Sequence, residues 1–452
     1  MKILIAGCGG IGGNLLSSLV NEGHDIVAID TDPAVITELT NIYDVMGICG
    51  NGVDSDILIE AGVNEAELFI AVTGSDEFNM LACFLAKKLG ASHTIARIRT
   101  PEYNDNSLSF MKDQLELSMA INPEMLAAQE LFNILKFPSA IKVESFARRS
   151  LEMVELRLKS ESVLDGIKLS ELRSKYNAKV LICCVKRGDK TFIPDGNFVL
   201  KSDDRIGITA PPSETHKFFR SIGALQKKAK NVMILGGSST AEYLAEMLLS
   251  IGSDVKIIEK REDVAIKLCE KLPQAVIING DGARQELLLE EGIKNADGFV
   301  ALTGIDEENI LLSIFASSQG VNKVISKVDR EEFISMAAKL GVDSVVSPKK
   351  TVADLLVSYA RALENSLGSN VETLYKLMDG DVEALEFNVV ADERITDIPL
   401  KNLKLKPNIL IAGIIRNRKT VIPGGNDVIM AGDRVIVIST EHMLSDLTDI
   451  LR

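Results

Sequence analysis

The 452-residue sequence has no long hydrophobic run. Its apolar stretches, such as Val180–Val185 and Ile409–Ile415, fall well short of the roughly 18 to 20 residues that span a bilayer, so direct membrane insertion is not expected. Positive charge is also in deficit: 50 Lys and Arg stand against 64 Asp and Glu, a net charge of −14 spread along the chain. Such a balance offers no attractive field to a phosphate backbone, and nucleic acid is not an expected partner. There are only four histidines. The six cysteines (Cys8, Cys49, Cys83, Cys183, Cys184, Cys269) form no Cys-x-x-Cys or other metal-ligand spacing. No metal site is expected, and the thiols read as packing residues of a reducing compartment. In a strand the adjacent Cys183 and Cys184 should point to opposite faces. Glycines interrupt the apolar start Met1–Ala6 too early for a signal-peptide core, and a cytoplasmic location is expected.

What is present is a soluble balance of 46% apolar and 25% charged residues. At roughly 150 residues per domain the length suggests about three domains. Self-similarity refines that figure. The segment from Lys2 to Asp32 reappears from Asn231 to Arg261, with Gly7 and Gly236 separated by 229 positions and Thr73 and Thr303 by 230. The later parts match too, Ile193-Pro194-Asp195-Gly196 against Ile422-Pro423-Gly424-Gly425. The chain is therefore two copies of one long unit, too long for a solenoid.

In the first unit, strand-like runs at Ile3–Ala6, Asp25–Ile29, Val45–Ile48, Leu68–Ala71 and Thr94–Ile98 alternate with helical patterns at Asn14–Asn21, Pro33–Ile42, Asp54–Ala61, Asp76–Leu89 and Pro123–Lys136. Alternation of this kind demands parallel crossovers with helices on both faces of the sheet. After Pro138, and again near Asn370, short strands separated by Gly-Asp and Pro-Asp-Gly turns take over and end in a helix. The fold class is α/β: two Rossmann-like, doubly wound parallel-sheet domains (residues 1–137 and 230–369), each followed by a small β-rich α+β lobe (138–225 and 370–452). The Lys-rich run Gln226–Lys230 links the units.

Gly7-Cys8-Gly9-Gly10-Ile11-Gly12 fits G-x-G-x-x-G, follows a strand, opens a helix, and precedes the acidic Asp30 at the end of the next strand. Gly7 permits the turn, Gly9 lets backbone N–H groups approach a pyrophosphate, and Gly12 permits close helix packing. Asp30 would accept ribose hydroxyls, and no Arg follows it to receive a 2′-phosphate, which favours NAD over NADP. Thr73 and Gly74 can offer a hydroxyl and an N–H at the same sheet edge. Asp76 and Glu77 read as cap and first-turn acids of the next helix. Of the alternating Arg97 and Arg99, Arg97 is the expected phosphate ligand.

The second unit keeps this pattern in part. Its candidate residues are Gly236, Gly237, Ser238, Ser239, Thr240, Glu259, Thr303, Gly304 and Lys327, but Ser238 and Ala241 replace two of the glycines. Weaker, altered or absent binding is expected there.

A dehydrogenase needs an acid or base beside the nicotinamide. His24 and His93 precede strands, His216 and His442 occupy paired positions near each unit's end, and no catalytic constellation emerges. The stretches KILIAGCGGIGGNL, GNGVDSDILIEAGVNEAELFIAVTGSDEFNMLACFLAKKLG, ARIRTPEY, INGDGARQELLLEEGI and ALTGIDEENI resemble the tandem RCK (regulator of potassium conductance) subunits of Trk potassium-uptake systems over essentially the whole length. That resemblance implies no catalysis, NAD(H) with ATP and ADP as competing ligands, a homotetrameric gating ring, and docking on a membrane potassium-translocating Trk subunit. It implies ligand contacts at Gly7 to Ile11, Asp30, Thr73, Gly74 and Arg97. It also places a crossover helix near Pro123–Lys136, where paired units exchange contacts; the apolar spacing of Met125, Leu126, Leu131 and Leu135 suits a helix with one buried face, the alternative being an ordinary capping helix of the sheet. The alternative is an NAD-dependent oxidoreductase, which predicts hydride turnover; a plain structural ring predicts no response to nucleotides.

Overall fold

The computed structural model describes the chain except residues 101–104, 147–149, 160, 178, 225–228, 343, 367–370, 391, 393, 418, 442–443 and 445, and the backbone alone of 105–109, 365–366 and 371–373. Asn370, His442, Gln226–Lys228 and the Pro101–Tyr103 part of ARIRTPEY lie outside the described residues. In the first unit β1 (Lys2–Ala6), β2 (Asp25–Asp30), β3 (Met46–Cys49), β4 (Leu68–Ala71), β5 (His93–Arg97) and β6 (Met119–Ile121) form one parallel sheet in the order β3-β2-β1-β4-β5-β6. This is the doubly wound order, with its switch point between β1 and β4. β4 is buried at all four residues because helices cover both faces. β6 is too short to stand out by periodicity.

A small antiparallel lobe follows: β7 (Lys142–Phe146), β8 (Leu151–Arg157), β9 (Leu181–Arg187), β10 (Lys190–Phe192) and β11 (Arg205–Ala210), in the order β10-β9-β11-β8-β7. The second unit repeats both parts. Its parallel sheet, β14-β13-β12-β15-β16-β17, uses β12 (Asn231–Leu235), β13 (Asp254–Glu259), β14 (Val276–Asn279), β15 (Gly298–Ala301), β16 (Lys323–Lys327) and β17 (Ser344–Val346). Its lobe, β18-β19-β22-β20-β21, uses β18 (Val371–Leu377), β19 (Val382–Asn388), β20 (Ile409–Arg416), β21 (Lys419–Val421) and β22 (Arg434–Ser439). The first lobe ends in helix Pro212–Ser221. The second ends, among the described residues, in the 3-10 turn Leu447–Ile450, after which Arg452 N–H bonds back to Lys404 O at 2.9 Å and Leu451 bridges Leu405.

The units exchange helices. Pro123–Lys136 leaves the first sheet and packs on Ser239–Ser250 of the second unit, while Pro348–Ser366 leaves the second sheet and packs on Gly10–Asn21 of the first. Ala127, Ala128, Leu131, Ile134 and Leu135 share a core with Leu244 and Leu248; Val352, Leu356, Val357 and Ala360 share one with Leu15, Leu16 and Leu19. Met125, expected on the buried face, is instead exposed, because at 100° per residue Ala127, Ala128 and Ile134 complete that face with Leu131 and Leu135. The two lobes also meet, with Phe146, Leu151 and Met153 packed against Leu377, Val382 and Ile438. Here Cys183 and Cys184 depart from expectation. A β-bulge opposite Gly207 brings both side chains into the core, with their Sγ atoms 3.9 Å apart. Among the described residues no helix is long and apolar enough to cross a membrane.

Candidate functional site

The glycine loop lies where β1 ends. Gly7 has φ +89°, open to glycine but strained for other residues, and a Cβ there would stand 2.9 Å from the Thr73 N and Cα atoms. A Cβ on Gly12 would lie 1.9 Å from the Gly7 carbonyl oxygen, so the start of helix Gly10–Asn21 presses directly on the turn. Gly9 is different: among the described residues, its chain neighbours aside, nothing lies within 4 Å of its Cβ position. The loop is tight where it holds itself and open where an anion would approach.

A cavity of about 560 Å³ opens at this edge, lined by Gly7, Gly9, Gly10, Ile11, Asp30, Thr73, Gly74 and Arg97 among the expected residues. Cys8 lies behind it, and burial pushes its thiol up to about 12, so it is not a nucleophile there. Gly12 acts through packing. Asp30 accepts from Cys8 N–H at 2.7 Å and from Asp32 N–H at 3.0 Å, so it fixes the loop as well as facing the cavity. Arg97 makes a long 3.5 Å bond to Thr73 O and stands 3.4 Å from Glu124, while its buried Nε has no hydrogen-bond partner among the described residues. Arg99 turns to Gly74 O at 2.6 Å. These features suit the pyrophosphate of a dinucleotide: an open backbone cradle, an unmet buried donor, and a volume of ligand size.

Several site residues were not foreseen. Asn79 is fully buried; its Oδ1 accepts from Thr73 N–H (2.8 Å) and Oγ1 (2.7 Å), and its Nδ2 donates to Arg97 O at 2.9 Å. It fixes the two loops to one another. The available signal was its recurrence as Asn309, which makes the same bonds to Thr303 and Lys327. Thr31, Gly50, Gly52 and Phe78 also line the cavity. The helix cap is Ser75, bonded to Phe78 N–H at 3.2 Å. Asp76, in the first turn, is buried and accepts from Arg99 N–H and Thr100 N–H, both at 2.8 Å. Although burial opposes it, these bonds and the Thr100 hydroxyl hold the Asp76 carboxyl below its ordinary value.

The TrkA-N domain model matches residues 3–122 and 232–348, and the TrkA-C domain model matches 153–223 and 384–452. The chain belongs to the TrkA family. The Trk system potassium uptake protein TrkA of Vibrio alginolyticus is 30% identical, covering 99% of this chain and 96% of that protein. A TrkA homologue of Archaeoglobus fulgidus is 30% identical over the full length of both chains. Among solved structures, the GsuK channel superposes with TM-score 0.64 at 18% identity, covering 97% of this chain and 77% of that one. The GsuK RCK domain gives 0.62 at 17% identity, covering 97% and 92%. Two Rossmann-like sheets, each with an antiparallel lobe, are thus the RCK fold in tandem.

The second TrkA-N segment keeps the frame but narrows the crevice. Gly236 (φ +96°) makes the same turn, and Glu259 reaches Gly237 N–H at 2.6 Å and Arg261 N–H at 2.7 Å as Asp30 does in the first. Ser238 caps the helix through Ala241 N–H at 3.4 Å; Ser239 is exposed and Thr240 buried in its first turn. Gly304 is open, and Lys327 pairs with Asp329 at 3.4 Å. Where the first unit has Ala6, however, Leu235 sends its Cδ1 to within 2.0 Å of the Cβ position on Gly282, against 3.1 Å between Ala6 and Gly52. The larger side chain fills space that stays open in the first unit.

Proposed function

We propose that this TrkA-family chain is the cytoplasmic nucleotide-sensing regulatory subunit of a Trk-type potassium-uptake system. It binds NAD(H), with ATP and ADP as competing ligands, in the first crevice. It performs no hydride chemistry, assembles as a homotetrameric ring, and gates a membrane potassium-translocating subunit. The observation that carries this reading is the convergence of Gly9, Asp30, Thr73, Gly74 and Arg97 on one open cavity at the switch point of the first sheet. Gly9 and Gly10 would hold the pyrophosphate, Asp30 a ribose, and Arg97 a phosphate oxygen. The second crevice is the weaker site. A solved GsuK channel is bound to NAD, in keeping with this assignment of the fold.

Regulation follows from linkage: a ligand shifts the ring only through unequal affinity for its two shapes, and a tenfold difference is worth about 1.4 kcal/mol. Dinucleotide and mononucleotide share the cradle and place different groups beyond it, so they favour different shapes. Thermal melting with NADH, NAD, ATP and ADP on wild type and Asp30→Ala tests this. Shifts present in wild type and lost in the variant are expected. Substrate-dependent hydride turnover would overturn the regulatory reading, and unchanged melting with all four would overturn nucleotide binding.

A further inference from the structure

The first crevice has a neighbour from the other unit. A Cβ built on Gly10 would meet Cε and Nζ of Lys349, both at 3.3 Å. Gly10 starts the helix that faces the cavity. Lys349 is the second residue of helix Pro348–Ser366, the helix that crosses from the second unit to lie on Gly10–Asn21. Its side chain is half-buried, and among the described residues its ammonium has no hydrogen-bond or ion-pair partner. Of the other cations at this edge, Arg97 stands 3.4 Å from Glu124 with its Nε unmet, and Arg99 bonds to Gly74 O.

The repeat makes the position informative. Arg97 pairs in register with Ile121, and Lys327 with Val346. Three residues beyond each, at matching places on the two crossing helices, stand Glu124 and Lys349. The helix crossing to the first unit thus carries a cation where its counterpart, crossing to the second, carries a carboxylate. The first crevice gains a cation from the other unit, while Glu124 stays beside Arg97 of its own unit.

We propose that Lys349 donates a charge-assisted hydrogen bond to the phosphates of a nucleotide in the first crevice, so that one ligand is gripped by both units. The inference rests on the reading of that crevice as a nucleotide site. Occupancy then tightens helix Pro348–Ser366 onto Gly10–Asn21, and the second unit responds to a ligand held chiefly by the first.

The test is calorimetric titration of the full chain with ADP and with NADH, on wild type and on Lys349→Met, Lys349→Gln and Lys349→Arg, with ligand-free melting of each as a control for folding. The two neutral variants should bind both ligands about tenfold or more weakly, as expected for loss of a hydrogen bond to a charged group. The Arg variant should stay within about threefold, and raising KCl should weaken wild type more steeply than the Met variant. Neutral variants that bind like wild type overturn the Lys349 contact while leaving the nucleotide site intact. An Arg variant as weak as the Met variant also overturns it, since packing rather than charge would then be at issue. If wild type binds neither ligand, the underlying reading of the crevice fails instead.

Discussion

Arg361 and Glu383 meet through two hydrogen bonds of 3.0 Å, and the remaining guanidinium nitrogen reaches Glu22 at 2.5 Å. Arg361 belongs to the crossing helix Pro348–Ser366, Glu383 to β19 of the second lobe, and Glu22 to the end of the first helix. One side chain therefore ties three parts of the molecule together at a point where Glu22 and Glu383 are 7% and 1% exposed. Arg361→Met would leave two carboxylates buried without this partner, and breaking such a pair costs about 3–5 kcal/mol. Urea unfolding should show that loss; a change below about 1 kcal/mol would mean that solvent screens the pair.

Gly12→Ala is expected to damage the first crevice while its mirror change spares the second. The new methyl would lie 1.9 Å from Gly7 O, so the helix start must move away. Overpacking of this kind costs about 1–3 kcal/mol and spoils the backbone approach to phosphate. Ala241→Gly, at the matching place, should cost about 1 kcal/mol through helix propensity and more through loss of its buried methyl, and leave NADH affinity unchanged. Melting and calorimetry on both variants check this; equal effects on NADH would contradict the assignment of the dominant site.

The doubly wound sheets and the glycine turn were legible because each imposes a demand on residue type that survives in one dimension. Positive φ at Gly7, the close approach at Gly12, and continuous apolar strands such as Leu68–Ala71 leave marks that spacing can detect. What lies against what leaves no such mark. The apolar face of Pro123–Lys136 announces burial but not the helix Ser239–Ser250 that covers it, and a one-residue error of rotation put Met125 on the wrong side. The bulge that gathers Cys183 and Cys184 depends on Gly207 in another strand. Leu235 reads as an ordinary strand residue until its distance to Gly282 shows that it narrows the second crevice.

Two sets of carboxyls should pull stability in opposite directions as pH falls below neutrality. Burial raises Glu130 and Asp354, with Lys142 opposing the shift in both, and Glu144 stands close by. An acid raised in the folded state gives added stability as pH falls from neutrality through its folded pKa. Glu22 and Asp76 behave oppositely. Burial resists ionisation at both, but Arg361 and Lys376 hold Glu22 down, and the backbone and hydroxyl of Thr100 hold Asp76 down. Their contribution is complete above the ordinary values of 4.5 and 3.8 and is lost as pH falls through their lower folded values. Burial lowers His24 and His93 from their ordinary 6.5, so both oppose the first set as pH falls from 7, and the melting temperature should fall in strong acid as the second set is lost. The melting temperature of Glu130→Gln relative to wild type should be higher at pH 7 than at pH 5, with the acid limb left in place; a difference that does not change with pH would contradict this.

Thiol reactivity should divide the six cysteines into two groups. Cys49 and Cys269 are exposed, whereas Cys8, Cys83, Cys183 and Cys184 are buried, and all six are free. Thiolate is the reactive form; burial raises the Cys8 and Cys83 thiols well above their ordinary value, and the hydrogen bond with Cys183, followed by burial, raises Cys184. A thiol reagent should therefore modify two sites quickly in the native protein and all six in denaturant. If NADH occupies the crevice in front of the Gly7–Gly12 loop, slow labelling of Cys8 should slow further in its presence, while Cys269 in the second unit keeps its rate. Peptide mapping by mass spectrometry resolves the positions. Fast native labelling of Cys8 would show that the loop opens readily without ligand and that its tight packing by Gly12 is not maintained in solution.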